Sequence, residues 1–508
     1  MPIFSVASKR LAILGAAASA LSGCDLTWEK PELASPPPPQ FREAKTKSSL
    51  PIPAGADFAA KFGSRELTAV VASAVGDNLD IAAAVARIRE ADSQARVSSA
   101  TLWPTIGMQD IVRTTATPGT TTVTSSSSGG INLSGSSTSS GFTTRHYGFF
   151  QLGLTASYEI DFWGKNEDAS LAARLLANAS RFDRDVVEIG TVASVLNAYL
   201  QVVAAQDRIR IARNNVKLAA EVFAAINARV EVGTATALDQ AQQETVLAQQ
   251  RAAIPPLELT LRQTRNNLAV LLGRPPESFD VKGGSLTSLT FPKVTPGLPS
   301  EVLLRRPDVA EAEAKLASQE FSVLQARAAF FPSITLTGTY GLQSALLQNL
   351  LRPEAIAWQI GGQLAQPLLD GYNLQGQYEL QKGKYAELAA LYKKQILTAL
   401  GDVENALIAI RENKRRVDLQ AQATDASRRA LEAANARLRE GTIDIVTLST
   451  TEVAYFTNQD TLVQARLAYY QAAVSLYQAL GGGWSPTTRG EEVSRAEAAY
   501  NSDKGPWP

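Results

Sequence analysis

Cysteine and histidine are nearly absent: Cys24 and His146 are the only ones among 508 residues. No disulfide can form within one chain, no His/Cys metal cluster can assemble, and neither a Ser-His-Asp nor a Cys-His pair stands out. Neither a metal nor a cofactor is therefore expected. His146 lies in a Ser/Thr-rich stretch and reads as a solvated residue. Net charge is lacking as well, because Lys+Arg and Asp+Glu are both 49. That balance removes the broad electrostatic reason to expect nucleic acid as a partner. A phosphate-binding loop is missing too, since Gly481-Gly482-Gly483 is not followed by Lys-Ser/Thr. Glu311 and Glu313 sit on an Ala-rich helical stretch and read as solvated charges rather than an acid-base pair. The expectation is a protein that is not an enzyme.

What the chain does have begins at its first residues. Lys9 and Arg10 precede the apolar run Leu11 to Ala20, which leads to Leu21-Ser22-Gly23-Cys24. This reads as a secretory signal, and the run is too short to span a bilayer comfortably. Leu-Ser-Gly-Cys resembles the bacterial lipobox, so residues 1–23 are assigned to a signal peptide and Cys24 to lipidation. Each buried acyl methylene contributes roughly 0.8 kcal/mol, so several chains anchor a protein firmly. Asp25, which follows, is of the kind that holds enteric lipoproteins at the inner membrane. Residues 24–63 read as an extended strap around Pro36-Pro37-Pro38-Pro39.

The rest of the chain is written twice. Asp80-Ile81 with Ala84 matches Asp308-Val309 with Ala312, and Trp103-Pro104 matches Phe331-Pro332 at the same offset. Asp161 matches Asp370 at a shorter offset. Asn227-Ala228-Arg229 followed by Gly233-Thr234 matches Asn435-Ala436-Arg437 followed by Gly441-Thr442, and Glu244 matches Glu452. The change of offset means that the first copy is longer between Pro104 and Asp161. The excess is the Ser/Thr/Gly stretch Thr114 to Thr144, which reads as an exposed loop. The repeats are set at 64–273 and 307–482, separated by a linker over 274–306 and followed by a tail over 483–508.

Each copy predicts a helix ending before its proline (about 64–101 and 307–330), then a strand pair, then two helices. Those helices are placed at about 165–232 and 236–272, and at about 373–440 and 444–480. Leu400, Val403, Leu407 and Ile410 step by 3, 4 and 3, as do Val192, Val195, Tyr199 and Val202, which is the narrow seam of a coiled coil. A segment of about 65 residues would be about 100 Å long as one helix. Phe150, Leu152, Leu154, Ala156, Tyr158 and Ile160 alternate with polar residues. So do Ile334, Leu336, Gly338 and Tyr340, and Ile356, Trp358, Ile360, Gly362 and Leu364. Ile106, Met108 and Val112 make a weaker strand, interrupted by Asp110. Such segments suit a transmembrane barrel or a soluble sheet with one buried face. Spanning sheets must close, and single-chain barrels need at least about eight strands, so a barrel would have to be shared by several chains.

The lipobox, the run Leu303-Leu304-Arg305-Arg306-Pro307-Asp308-Val309 with Ala312-Glu313, the segments Tyr158-Glu159-Ile160-Asp161 and Pro367-Leu368-Leu369-Asp370-Gly371, and the two Gly-Thr turns together resemble the TolC/OprM-type outer-membrane efflux channels. The likeness is to their lipoprotein branch and covers roughly residues 24–482. It implies a mainly α fold with a transmembrane β-barrel portion. Long coiled-coil hairpins and four β-strands per chain would build a shared 12-stranded barrel and a 12-helix periplasmic tunnel in a homotrimer. It also implies a lipid-anchored place in the outer membrane, a periplasmic adaptor, an inner-membrane efflux pump, and the role of exit duct between them. In this likeness Gly233, Thr234, Gly441 and Thr442 form the tip turns where the adaptor docks, and Asp444, Thr447 and Thr450 mark the periplasmic constriction. Family members commonly carry acidic residues where this chain has Thr447 and Thr450, so this departure predicts that any acidic iris is weak or displaced, with helix packing and hydroxyl hydrogen bonds closing the gate instead. A structural coiled-coil envelope or secretion component is the alternative, and it leaves the alternating strand pairs unexplained.

If Cys24 is the lipidation site, mass spectrometry of the mature N-terminus will find an acylated Cys24 as the first residue, recovered with the outer membrane. An unmodified Cys24, cleavage elsewhere, or recovery with the inner membrane would overturn this reading.

Overall fold

A computed structural model of the chain describes residues 55–123, 139–292, 294 and 297–485, with Trp28, Lys30, Pro38 and 40–43. For 116–123 and 139–147 it describes the backbone alone. The signal segment, Cys24, Asp25, most of the proline strap, the centre of the Ser/Thr loop and residues 486–508 lie outside the described residues. The chain divides into two compact units, one built on 93–173 and 318–385 and one on 30–92, 174–317 and 386 onward.

The first unit is a four-stranded antiparallel sheet in the order β1-β2-β3-β4, with β1 at Thr105–Val123, β2 at Ser139–Ile160, β3 at Ser333–Ser344 and β4 at Ile356–Ala365. The register joins the two repeats through β2 and β3, with Leu154 opposite Tyr340, and Tyr340 in turn opposite Trp358. Met108 faces Leu154 from β1. Paired residues of an antiparallel ladder share a face, so the alternation seen strand by strand becomes one continuous apolar surface. Its side chains are left bare in a single chain: Met108 is 73% exposed, Trp358 71% and Ile360 79%. Asp110, opposite Leu152, lies on that face, so the weak strand is a full member of the sheet. The other face carries Thr155 opposite Thr339, Gln151 opposite Gln343, and Ser157 opposite Thr337.

The Ser/Thr stretch departs from expectation. Strand pairing continues from Thr114 to Val123 against Ser139 to Gly148, so much of the expected loop is β-ribbon. Low apolar content argued against a core, but a two-stranded ribbon needs none of its own, and β-branched Thr suits extended backbone.

Where the strands end, aromatic residues gather. Trp163 stacks on Phe331 at 4.7 Å, and its indole N–H donates to the Pro332 carbonyl at 2.9 Å. The matched aspartates explain themselves here. Asp161 accepts the backbone N–H groups of Asn166 and Glu167, and Asp370 accepts that of Leu374. Each therefore caps the start of a long helix, where orphan N–H groups need acceptors.

Among the described residues, ten α-helices are set by these signals. Preceding the first strand are α1 (Gly55–Ala60), α2 (Arg65–Asp77) and α3 (Leu79–Ser99). The first repeat continues with α4 (Lys165–Glu231), α5 (Ala237–Ala252) and α6 (Ile254–Leu271). The linker holds α7 (Pro299–Leu304), and α8 (Pro307–Ala328) opens the second repeat. Two further helices, α9 (Asn373–Arg439) and α10 (Ile445–Ala479), complete it. Two expected helices are interrupted. Asn78 separates α2 from α3, its Oδ1 accepting the N–H of Asp80 and Ile81 while its Nδ2 donates to Leu271 O. Pro255 and Pro256, which lack N–H groups, open α6 and break the ladder after Ala252. The second copy has no proline there, and α10 runs unbroken.

The second unit has its core where the seam predicted one. Val192, Val195, Tyr199 and Val202 are buried with Phe58, Phe62 and Tyr477, and Val403 is buried with Leu400, Leu407 and Ile410 packed against it. The linker joins this core. Glu66 accepts the N–H groups of Lys282 and Gly283, and Asp207 that of Leu286. The Arg-Arg-Pro-Asp run has a physical reason as well. The buried Arg306 guanidinium makes a two-pronged contact with Asp308 at 2.6 and 3.0 Å and donates to Asp402 and to Ala479 O at the end of α10. Burial opposes its charge, but those two carboxylates hold its pKa above the ordinary arginine value. A buried guanidinium is tolerable only with such partners.

Candidate functional site

The Gly-Thr turns close two helical hairpins of the second unit, and they are built alike. Helix α4 ends at Glu231, after which Gly233 takes φ 78°; α9 ends at Arg439, after which Gly441 takes φ 73°. A Cβ at either glycine would meet nothing within 4 Å. The glycine is thus required by its left-handed backbone alone, at about 1 kcal/mol or more for another residue. In the first turn Gly233 N–H donates to Val230 O at 3.0 Å and Thr234 N–H to Arg229 O at 2.8 Å. In the second, Gly441 N–H donates to Leu438 O at 3.1 Å and Thr442 N–H to Arg437 O at 3.0 Å. This is the Schellman arrangement.

The threonines add a bond that sequence reasoning did not anticipate. The hydroxyls of Thr234 and Thr442 donate to the same carbonyls as their N–H groups, each at 3.1 Å. Recurrence of Thr after Gly therefore has a capping reason inside the chain. The following helices are capped as carefully. Thr236 and Asp239 form a reciprocal capping box on α5, and Asp444 accepts Thr447 N–H at 2.8 Å at the head of α10.

Asp444, Thr447 and Thr450 all stand exposed at the start of α10. Contacts to the Thr447 hydroxyl and N–H hold the Asp444 carboxyl below the usual carboxylate range, so it remains ionised as a helix cap. The Thr450 hydroxyl donates to Val446 O at 2.8 Å, within its own helix. The Thr447 and Thr450 hydroxyls thus both have partners at the start of their own helix.

Two further features of the tips escaped the sequence reading. Arg229 reaches from the first hairpin to the carbonyls of Leu438 and Arg439 in the second, at 2.7 and 3.2 Å. Glu452, 1% exposed, accepts from the equally buried Gln243 at 2.9 Å, and Ser449 donates to Gln243 Oε1 at 3.2 Å. Glu452 and Arg229 both border a cavity of about 170 Å³ between α4 and α9. Arg229 and Glu452 are recurring positions of the repeat, which was the available signal. Their pairing is tertiary.

Burial pushes the Glu452 carboxyl above the ordinary glutamate range, and only the Gln243 contact opposes this. In the unfolded chain the group returns to its ordinary value, so ionisation at neutral pH favours unfolding. That cost disappears as pH falls through the raised folded value. Glu452→Gln is therefore expected to stabilise the protein at pH 7.5, with the difference vanishing near pH 4. Thermal unfolding of both proteins across this range is the check, and a loss of stability at neutral pH would contradict it.

Comparison with known proteins places the chain. A profile for outer membrane efflux proteins matches residues 70–274 and 298–482. The pyoverdine export outer membrane protein OpmQ of Pseudomonas aeruginosa is 34% identical over 435 residues, covering 84% of this chain and 88% of that protein. The probable outer membrane lipoprotein SilC of Salmonella typhimurium is 27% identical, covering 91% of this chain and 96% of that protein. In fold, the CmeC outer membrane channel of Campylobacter jejuni superposes with a TM-score of 0.79 at 21% identity, over 92% of this chain and 98% of that one. The chain belongs to the outer membrane efflux protein family and is an outer-membrane channel of an efflux system.

Proposed function

We propose that three copies of this chain form one duct, anchored through an acylated Cys24, that receives small molecules from an inner-membrane pump through a periplasmic adaptor. The observation that carries this reading is the four-stranded sheet, which pairs β1 with β2, β2 with β3 and β3 with β4 and has its β1 and β4 edges at its two sides. A sheet with one continuous apolar face and open edges cannot stand in lipid, where each unpaired backbone group costs several kcal/mol. Joining β4 of one copy to β1 of the next removes every edge at three copies and gives a 12-stranded barrel. The Thr, Gln and Ser face then lines the lumen.

Such a lumen transports without chemistry, and a duct lined by hydroxyls and amides has little selectivity of its own. Relatives named for pyoverdine export, for cation efflux and for antibiotic efflux agree with one duct design serving different cargoes. Purified protein is expected to have a native mass of three chains in detergent and to conduct ions in liposomes. A stable, non-conducting monomer would sink the proposal and favour a structural coiled-coil component.

The tip turns are the proposed docking place for the adaptor. They present the short loops Gly233 to Thr236 and Gly441 to Asp444, with exposed Leu238 and Val446 at matching positions just beyond. Replacing Thr234 and Thr442 by Arg removes only a side-chain cap bond from each turn, about 1 kcal/mol, while adding bulk at the contact. The double variant is expected to assemble, yet to lose adaptor crosslinking and efflux-dependent resistance in the same cells. Normal crosslinking and resistance in an assembled double variant would show the turns to be caps alone.

A further inference from the structure

The repeat places an arginine four residues before each tip glycine, Arg229 before Gly233 and Arg437 before Gly441. The two behave differently. Arg229 is half-buried and donates to Leu438 O and Arg439 O, so the first hairpin caps the carbonyl end of the second. Leu438 O also accepts the Gly441 N–H, which occupies both of its acceptor sites. Arg437 is exposed, and among the described residues its guanidinium meets no acceptor of its own chain.

The matching acceptors are available. In the repeat register Leu438 corresponds to Val230 and Arg439 to Glu231, at the carbonyl end of α4. Val230 O accepts only the Gly233 N–H, leaving one acceptor site, and no described side chain donates to Glu231 O. We propose that Arg437 caps the Val230 and Glu231 carbonyls of a neighbouring copy. The contact that joins the two hairpins within a copy would then be repeated between copies around the ring.

Three properties of the chain support this assignment, which rests on the ring of copies proposed above. A guanidinium offers a planar fork of donors that suits two successive carbonyls. The carbonyl end of a helix carries partial negative charge and favours a cation. Charge is also more favourable between copies than within one. Arg229 approaches a helix end bearing Arg437, Arg439 and the exposed Glu440, a net positive set, whereas Arg437 would approach one where Arg229 and the exposed Glu231 balance. The intermolecular site thus offers the same pair of carbonyls without the net positive charge that faces Arg229.

Cysteines replacing Glu231 and Arg437 together give the direct test, because the other cysteine, Cys24, is the proposed acylation site. Mild oxidation is expected to yield a covalent ladder up to three chains on a denaturing gel, whereas a bond within one chain would leave monomer. Arg437→Ala is expected to lower the temperature at which trimers dissociate by several degrees, with Arg437→Lys intermediate and Arg229→Ala as the intramolecular reference. A wild-type trimer whose oxidised pair runs only as monomer, with Arg437→Ala dissociating at the wild-type temperature, would overturn the contact while leaving the ring intact. A monomeric wild type would remove the ring and this contact together. Should Arg437→Ala not assemble, the cysteine pair and Arg437→Lys decide, with a ladder supporting the contact and its absence overturning it.

Discussion

Backbone hydrogen bonding at the two edges of the sheet is the constraint on which the rest of the molecule depends. A helix satisfies its own N–H and C=O groups except at its ends, but a strand satisfies none of its own and needs a neighbour on each side, each pairing half of them. Strands β2 and β3 have neighbours on both sides, and β1 and β4 have one each. In water an edge can be solvated. In hydrocarbon it cannot, and the apolar face carrying Met108, Trp358 and Ile360 is suited to hydrocarbon. The same surface that favours the membrane thus forbids a single copy from entering it alone. The helical unit carries no such conflict, since Tyr199, Leu196 and Tyr477 already bury a core within one chain.

The repeat solves each local problem twice with the same residues, yet the two copies are not equivalent in packing. Asp161 and Asp370 cap helix starts, and the two Gly-Thr turns close helix ends by the same bonds. Packing then separates the copies. Glu452 is buried against Gln243, whereas its counterpart Glu244 is exposed. The first seam is wholly buried and the second only in part. Pro255 and Pro256 interrupt only the first copy. Local hydrogen bonding is set by sequence within one turn of backbone and survives duplication. Burial depends on which element lies opposite and diverges with it.

This division decides what could be read from the sequence. Periodicity exposed the seam residues and the alternation of Leu152, Leu154 and Ala156, because both follow directly from 3.6- and 2-residue geometry. The tip turns were legible from Gly and Thr at recurring positions. Composition misled where it stood in for conformation: Thr114 to Val123 looked like loop because it lacks apolar residues, but extended pairing needs only backbone and tolerates Thr well. The breaks at Asn78 and Pro255 went unread because flanking helix-compatible sequence masked a single interrupting residue. The Arg229 contact and the Gln243–Glu452 pair were beyond reach, since each joins positions about two hundred residues apart through tertiary packing alone.

At the tips, local self-sufficiency limits how a partner can be recognised. Each turn assigns its glycine N–H, its threonine N–H and its threonine hydroxyl to carbonyls of its own helix. Asp444 is held by Thr447, and Asp239 by Thr236. Displacing these caps would cost about 1 kcal/mol each before any new bond is made. Recognition by exchange of backbone hydrogen bonds is therefore disfavoured. What remains is exposed side-chain surface, with Leu238 and Val446 at matched positions on the two hairpins. A partner that reads such surface gains by covering apolar area, and it meets nearly the same pattern on either hairpin. Under the proposed docking, that pseudo-equivalence would let one kind of docking element address both hairpins of a copy, even though the helices behind them are packed differently.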